Sequence, residues 1–233
     1  MEKALHLTPP QLGPRALKAA KGFDALYLGD EFCLNLLPEP DEFARARRAF
    51  GGRTVLTTPL LTDAALDSVL RIVDANASAR EPLELVVNDL GLLCELRRRR
   101  RAGRVRAALG RVFGHRVKVM ARTFAERFLK EQGLARIELD DPALLARFAS
   151  FGLPLSFHAG FRYVSVTRFC PWERHWPAPC AYACVGRSRV LEHAKLPQPL
   201  VLRGSAYGVS TAAAPKHPLV DRVVTEPRVR ALG

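Results

Sequence analysis

Short runs of β-branched and leucine-rich residues recur along the chain, and nearly every one closes on polar or turn residues. They are "DALYLGDE" (24–31), "TVLTTP" (54–59), "LELVVND" (83–89), "VKVMAR" (117–122), "RIELDDP" (136–142), "LPLSFHAG" (153–160), "YVSVTRFC" (163–170), "LVLRGSA" (200–206) and "DRVVTEP" (221–227). Between several of them, "DEFARARRAF", "TDAALDSVLRIVDA", "LGLLCELRRRRRA", "TFAERFLKEQG" and "DPALLARFASFG" space their apolar residues by three and four, as helices do. Thr62 or Asp63, and Asp141 with Pro142, supply helix starts; Gly133 and Gly152 supply stops. Continuously apolar strands alternating with helices are the pattern of a parallel sheet covered on both faces.

An open doubly wound sheet usually carries a glycine-rich phosphate loop after its first strand, and this chain has none. About eight strands in 233 residues therefore predict an α/β fold of the TIM-barrel-like (β/α) kind. After Phe157 the strands follow one another with little room for helices, so the second half is expected to depart from a regular barrel. No repeat, low-complexity linker or composition shift divides the sequence, and 1–233 reads as one domain with a cysteine-rich loop at 168–186.

In a parallel barrel the residues closing the strands gather at one end, where loops carry function. Here that set is Asp30, Glu31 and Cys33; Thr57 and Thr58; Asn88 and Asp89; Glu138, Asp140 and Asp141; His158; Arg168 and Cys170; Thr225 and Glu226. Asp30, Asn88, Asp89, Glu138, Asp140 and His158 are the candidates to line a substrate. Carboxylates on barrel loops are more often caps than acid–base groups, and Asp141 is assigned as a cap.

Three of the five cysteines lie in "RFCPWERHWPAPCAYAC" (168–184). No apolar run approaches the ~18 residues of a membrane span, and the N-terminus lacks the apolar core of a secretory signal. A cytoplasmic chain is expected, where an odd count of thiols argues against a disulfide framework. Cys33, Cys170, Cys180 and Cys184 supply four thiolates, the usual complement of an iron–sulfur cluster, and cluster loops often share the proline that follows Cys170. Structural zinc is the alternative, although only Cys180 and Cys184 have the spacing of a zinc knuckle. Cys94, among leucines in "LGLLCELR", reads as core packing. No paired-histidine motif or nucleophile elbow is present, so a peptidase is the least supported activity.

The formal charge of +13 attracts polyanions. The densest basic block, Glu95 to Arg111, reads as a helix with solvated arginines, since no aromatic residue is interleaved for base stacking. A basic RNA-binding module with a structural zinc is thus a second reading of the chain.

At "YLGDEFCLNLLP", "VVNDLGLL", "FLKEQGLARIELDDP" and "RYVSVTRFCPW" the sequence resembles the collagenase-like peptidase family of unassigned catalytic type, especially its small iron–sulfur members. The resemblance implies a barrel holding a four-iron four-sulfur cluster on Cys33, Cys170, Cys180 and Cys184. It also implies participation in oxygen-independent hydroxylation of a quinone precursor or an RNA base. A paralogous subunit of the same family is the partner it implies.

Overall fold

The computed structural model describes residues 1–98, 102–176, 179–211, 213–227 and 230–232. The strands in chain order are β1 (Glu2–Leu7), β2 (Ala25–Gly29), β3 (Arg53–Thr57), β4 (Leu83–Val87), β5 (Val105–Leu109), β6 (Arg136–Leu139), β7 (Leu155–His158), β8 (Arg162–Val166), β9 (Arg187–Leu191), β10 (Leu200–Arg203), β11 (Ala206–Val209), β12 (Val220–Thr225) and β13 (Arg230–Leu232). Strands β1 to β7 and β12 close an eight-stranded barrel in the order β1, β12, β7, β6, β5, β4, β3, β2, and every pairing is parallel. The TIM-barrel-like fold expected from the sequence is present.

Helices α1 (Pro14–Ala20), α2 (Pro40–Phe50), α3 (Asp63–Asn76), α4 (Leu90–Arg98), α5 (Arg111–Val117), α6 (Arg122–Glu131) and α7 (Leu145–Ala149) connect the first seven strands. Helix α2 starts at a capping box between Glu39 and Glu42, with Pro40 in its first turn, and stops at Gly51 with φ 74°. It buries Phe43, Ala46 and Phe50. Thr62 caps α3 by accepting the Ala65 amide, and α3 turns Val69, Leu70, Ile72 and Val73 inward. Asp141 accepts the Ala143 amide at the start of the short turn before α7, the cap role assigned to it.

The barrel interior has a thin apolar waist of Ala4, Ala25, Tyr27, Val55, Val86, Ala108 and Val224. Side chains alternate along a strand, so the interior repeats every second residue. Two residues further along lie His6, Thr57, Asn88 and Glu226; two residues back lie Glu2, Arg53, Glu84, Arg106 and Arg222. Polar layers therefore cap both ends of the waist. At the lower end Arg222 donates to Glu2 (2.5 Å), to the Tyr27 hydroxyl (2.7 Å) and to Glu84.

Two sequence readings are corrected here. "VKVMAR" forms no strand: Val117 ends α5 and Val119 stands exposed in the turn before α6. The fifth strand is instead β5, inside the basic block that reads as one solvated helix. Helix α4 ends at Arg98, Arg99 to Arg101 lie outside the described residues, and Ala107 to Leu109 are buried. Three buried apolar residues near the end of the block outweigh its helix-forming arginines once β4 and β6 pair on either side. The N-terminal strand β1 carried no recognised signal.

Between β7 and β12 the connection holds no α-helix among its described residues. It forms a second sheet in the order β13, β9, β10, β11, β8, in which β9, β10, β11 and β8 pair antiparallel with one another and β13 adds to β9 in parallel. "YVSVTRFC" and "LVLRGSA" thus belong to this sheet, and Arg168 and Cys170 follow β8 rather than a barrel strand. Phe161, Tyr163 and Ala206 pack it against Phe32 and Val112 at the C-terminal mouth.

Candidate functional site

The mouth is built on a buried ionic cluster. Glu31 accepts from the Arg111 backbone amide (2.7 Å), from Arg111 Nε (2.6 Å) and from Asn88 Nδ2 (2.9 Å). Burial raises its pKa, but the charge of Arg111, with that of His158 and the hydrogen bonds from Asn88 and Arg111, together outweighs this and holds Glu31 down at about 2. Arg111 also reaches Asp140 (3.4 Å), whose carboxylate accepts the Tyr163 amide, while the Tyr163 hydroxyl donates to the Arg111 carbonyl. Burial lifts Asp140 to about 6 despite Arg111. Deeper in the barrel, Tyr27 donates to Glu138 (3.1 Å), and Glu138 meets His158 Nε2 at 2.8 Å. Desolvation lifts Glu138 to about 7 and pushes His158 well below its ordinary range.

Two glycines make this packing fit. A Cβ on Gly110 would lie 2.3 Å from the Asn88 side chain, and one on Gly29 would lie 2.2 Å from the Thr57 carbonyl oxygen. Gly29 also has φ +120°, a conformation that other residues rarely adopt.

Above the cluster, Cys33, Cys170, Cys180 and Cys184 line one cavity of about 680 Å³, part of it open to solvent. Cys33 follows β2, and its loop is fixed by Asp30, which accepts the Phe32 (2.6 Å) and Cys33 (2.7 Å) amides. The other three come from the inserted segment between β8 and β9. Glu173 gathers that segment by accepting the Ala181 (3.0 Å) and Ala183 (2.9 Å) amides, with His175 at 3.1 Å. Those bonds hold its carboxyl down at about 2. Arg174 and Tyr182, with φ 56° and 58°, bend the loop through left-handed backbone that non-glycine residues seldom adopt.

The sulfurs themselves receive backbone donors. The Glu173 amide points to Cys170 Sγ (3.4 Å), the Tyr182 amide to Cys180 Sγ (3.3 Å), and the Asn35 amide to Cys33. Burial, then Asp30, pushes the Cys33 thiol up to about 11; burial, then Cys33, pushes Cys184 up to about 12. All five cysteines are free thiols. Among the described residues, no three His, Cys, Asp or Glu side chains are placed to hold a single metal ion.

A second cavity of about 600 Å³ shares Cys184 with the first and is lined by His6, Asp30, Arg203 and Glu226. His6 Nε2 donates to the Gly29 carbonyl (2.9 Å) and its Nδ1 faces Glu226 at 3.6 Å. Burial opposes the charge on His6, but Glu226, with Asp30 and the Gly29 carbonyl, more than offsets it and raises the pKa.

Of the residues proposed from sequence to line a substrate, Asp30 reaches this cavity. Glu138, Asp140, Asn88 and His158 form the buried floor. Asp89 sits apart, accepting the Leu61 and Leu92 amides and capping α4. Cys94 is exposed rather than packed in the core, because α4 buries Leu92, Leu93 and Leu96 on the other face. Arg111, expected among solvated arginines, is 2% exposed. Tyr27, His6 and Glu173 had no distinguishing sequence signal, although His6 and Tyr27 fall on the two-residue repeat of inward strand positions.

No protein-family model, curated protein or solved structure matches the chain. Fold and site define a parallel (β/α) barrel with a four-cysteine cavity at its C-terminal mouth. No helix among the described residues is long and apolar enough to cross a membrane.

Proposed function

We propose that the chain holds a four-iron four-sulfur cluster on Cys33, Cys170, Cys180 and Cys184, and takes part in oxygen-independent hydroxylation or a related redox modification. The cavity shared by thiols from two distant segments carries this reading. The free thiols and the donors around them support such a group. Backbone N–H donors aimed at sulfur are among the levers that tune cluster potentials, and three of the four sulfurs have one. Burial raises the Cys33 and Cys184 thiols, so they are protonated when empty and assembly would release protons to the solvent. When bound, the cluster supplies one-electron transfer. Asp30, His6 and Glu226 in the adjoining cavity would orient a substrate beside Cys184.

The reading draws its chemistry from the resemblance to the small iron–sulfur members of the collagenase-like peptidase family. The cysteine layout is similar to that of the ubiquinone-biosynthesis protein UbiV. A quinone precursor or RNA base as substrate, a paralogous subunit as partner and a cytoplasmic location belong to the same proposal. Structural zinc in an RNA-binding module is less favoured, since only Cys180 and Cys184 have the spacing of a zinc knuckle.

The test is anaerobic purification followed by a visible spectrum and by iron, sulfide and zinc analysis of one sample. Brown protein with equal iron and sulfide is expected. Serine at any of the four cysteines should lower iron and bleach the absorbance, whereas Cys94→Ser should retain both. Stoichiometric zinc without sulfide would overturn the reading.

A further inference from the structure

The opposite end of the barrel holds a cleft of about 810 Å³ that the cysteine site does not use. Its walls include Arg47, Arg53, Arg80, Arg106 and Thr54. Arg53 is paired with Glu2 (2.5 Å) and Arg47 with Glu81. Glu84, the other carboxylate of the wall, is engaged by Arg222 and Arg136. Every acid of the cleft is thus already matched. Arg80 and Arg106 are exposed and have no acceptor among the described residues.

The fold itself creates this imbalance. Glu84 and Arg106 are register partners on β4 and β5 and share the lowest inward layer, but Arg222 rises from β12 and takes both Glu84 oxygens. Arg106 is left facing the cleft.

We propose that this cleft binds the phosphate group of a small phosphorylated compound. Two guanidinium groups without acceptors match the oxygens of a phosphate in charge and in their forked donors. A cleft between strand ends, part of it open to solvent, suits a compact ligand, whereas a nucleic-acid backbone would need a longer strip of cations along an open face. The site stands at the opposite end of the strands from the cysteines and does not depend on the cluster.

The full chain is titrated calorimetrically with inorganic pyrophosphate at low salt, alongside Arg80→Gln/Arg106→Gln. Arg45→Gln/Arg48→Gln serves as a control that removes the same charge from the exposed side of α2. The cleft variant should weaken binding at least ~tenfold, the value of one lost charge-assisted hydrogen bond, with iron content unchanged. The control should bind as the parent does. Equal weakening by both pairs would reduce the effect to net charge and overturn the site. Failure of pyrophosphate to bind or to displace a single-stranded RNA that does bind would overturn the small-ligand assignment.

Discussion

Replacing Arg111 by methionine should cost far more than the loss of a surface arginine. Its side chain is 1% exposed, beside Glu31 at 0% and Asp140 at 4%, so the substitution leaves a buried carboxylate without its cation. Breaking such a pair from one side costs ~3–5 kcal/mol. The Glu31 carboxyl gives a second route to the size: its fall from the usual 4.5 to about 2 is worth ~3 kcal/mol of native-state stability above pH 4.5. In the parent, that contribution is complete above the unfolded value and is lost as pH falls through about 2. Without Arg111, burial lifts Glu31 above 4.5, and Asp140, already at about 6, rises further. Both then favour the unfolded chain at neutral pH and cease to do so once protonated. Urea unfolding should therefore show a loss of ~3–5 kcal/mol near pH 7 that narrows near pH 4, and a melting temperature lower by roughly 6–20 °C. Arg111→Met/Glu31→Gln should recover much of the loss, because uncharged groups of similar size need no counterion. A loss under ~1 kcal/mol, or one of the same size at both pH values, would refute the reasoning.

Glu173→Ala frees the Ala181 and Ala183 amides, so it should lower bound iron or speed its loss in air while the barrel's unfolding midpoint stays unchanged. Unchanged iron retention would remove Glu173 from the support of the loop. Gly29→Ala must fit a Cβ 2.2 Å from a backbone oxygen, and it should unfold the chain well before Gly51→Ala, where φ is also positive but the space is open. The latter should cost only ~1–2 kcal/mol, and equal midpoints for the two would contradict the packing argument.

The sequence made the barrel legible through its short apolar strands and capped helices, because both signals are local. It misplaced β5 because helix propensity and strand pairing compete over five residues, and the partners β4 and β6 are 18 or more positions away. The polar interior was half legible. Asn88, Glu138, Asp140 and His158 closed recognisable strands, but nothing adjacent to Arg111 distinguishes it from the arginines before it. Its burial follows from Glu31, 80 residues earlier in the chain. The cysteines could be grouped because three are neighbours in sequence. Cys94 could not be oriented from leucine spacing alone, since a helix of nine residues presents two adjacent faces within one turn.

Replacing a crossover helix by a small sheet between β7 and β12 has a mechanical consequence. Cys33 belongs to the barrel, while Cys170, Cys180 and Cys184 belong to the insertion, so their cavity exists only if the two parts keep register. Apolar contact of Phe161 and Tyr163 with Phe32 favours their association but fixes no position along the surface. Directional bonds do that. Asp140 holds the β8 backbone at Tyr163, Tyr163 returns its hydroxyl to the Arg111 carbonyl, and Arg111 grips Glu31, two residues before Cys33. Arg111 thus touches the supports of both cysteine segments without touching a cysteine. Its near-complete burial follows from that position, because exposed guanidinium–carboxylate pairs are too weak and too mobile to set a register.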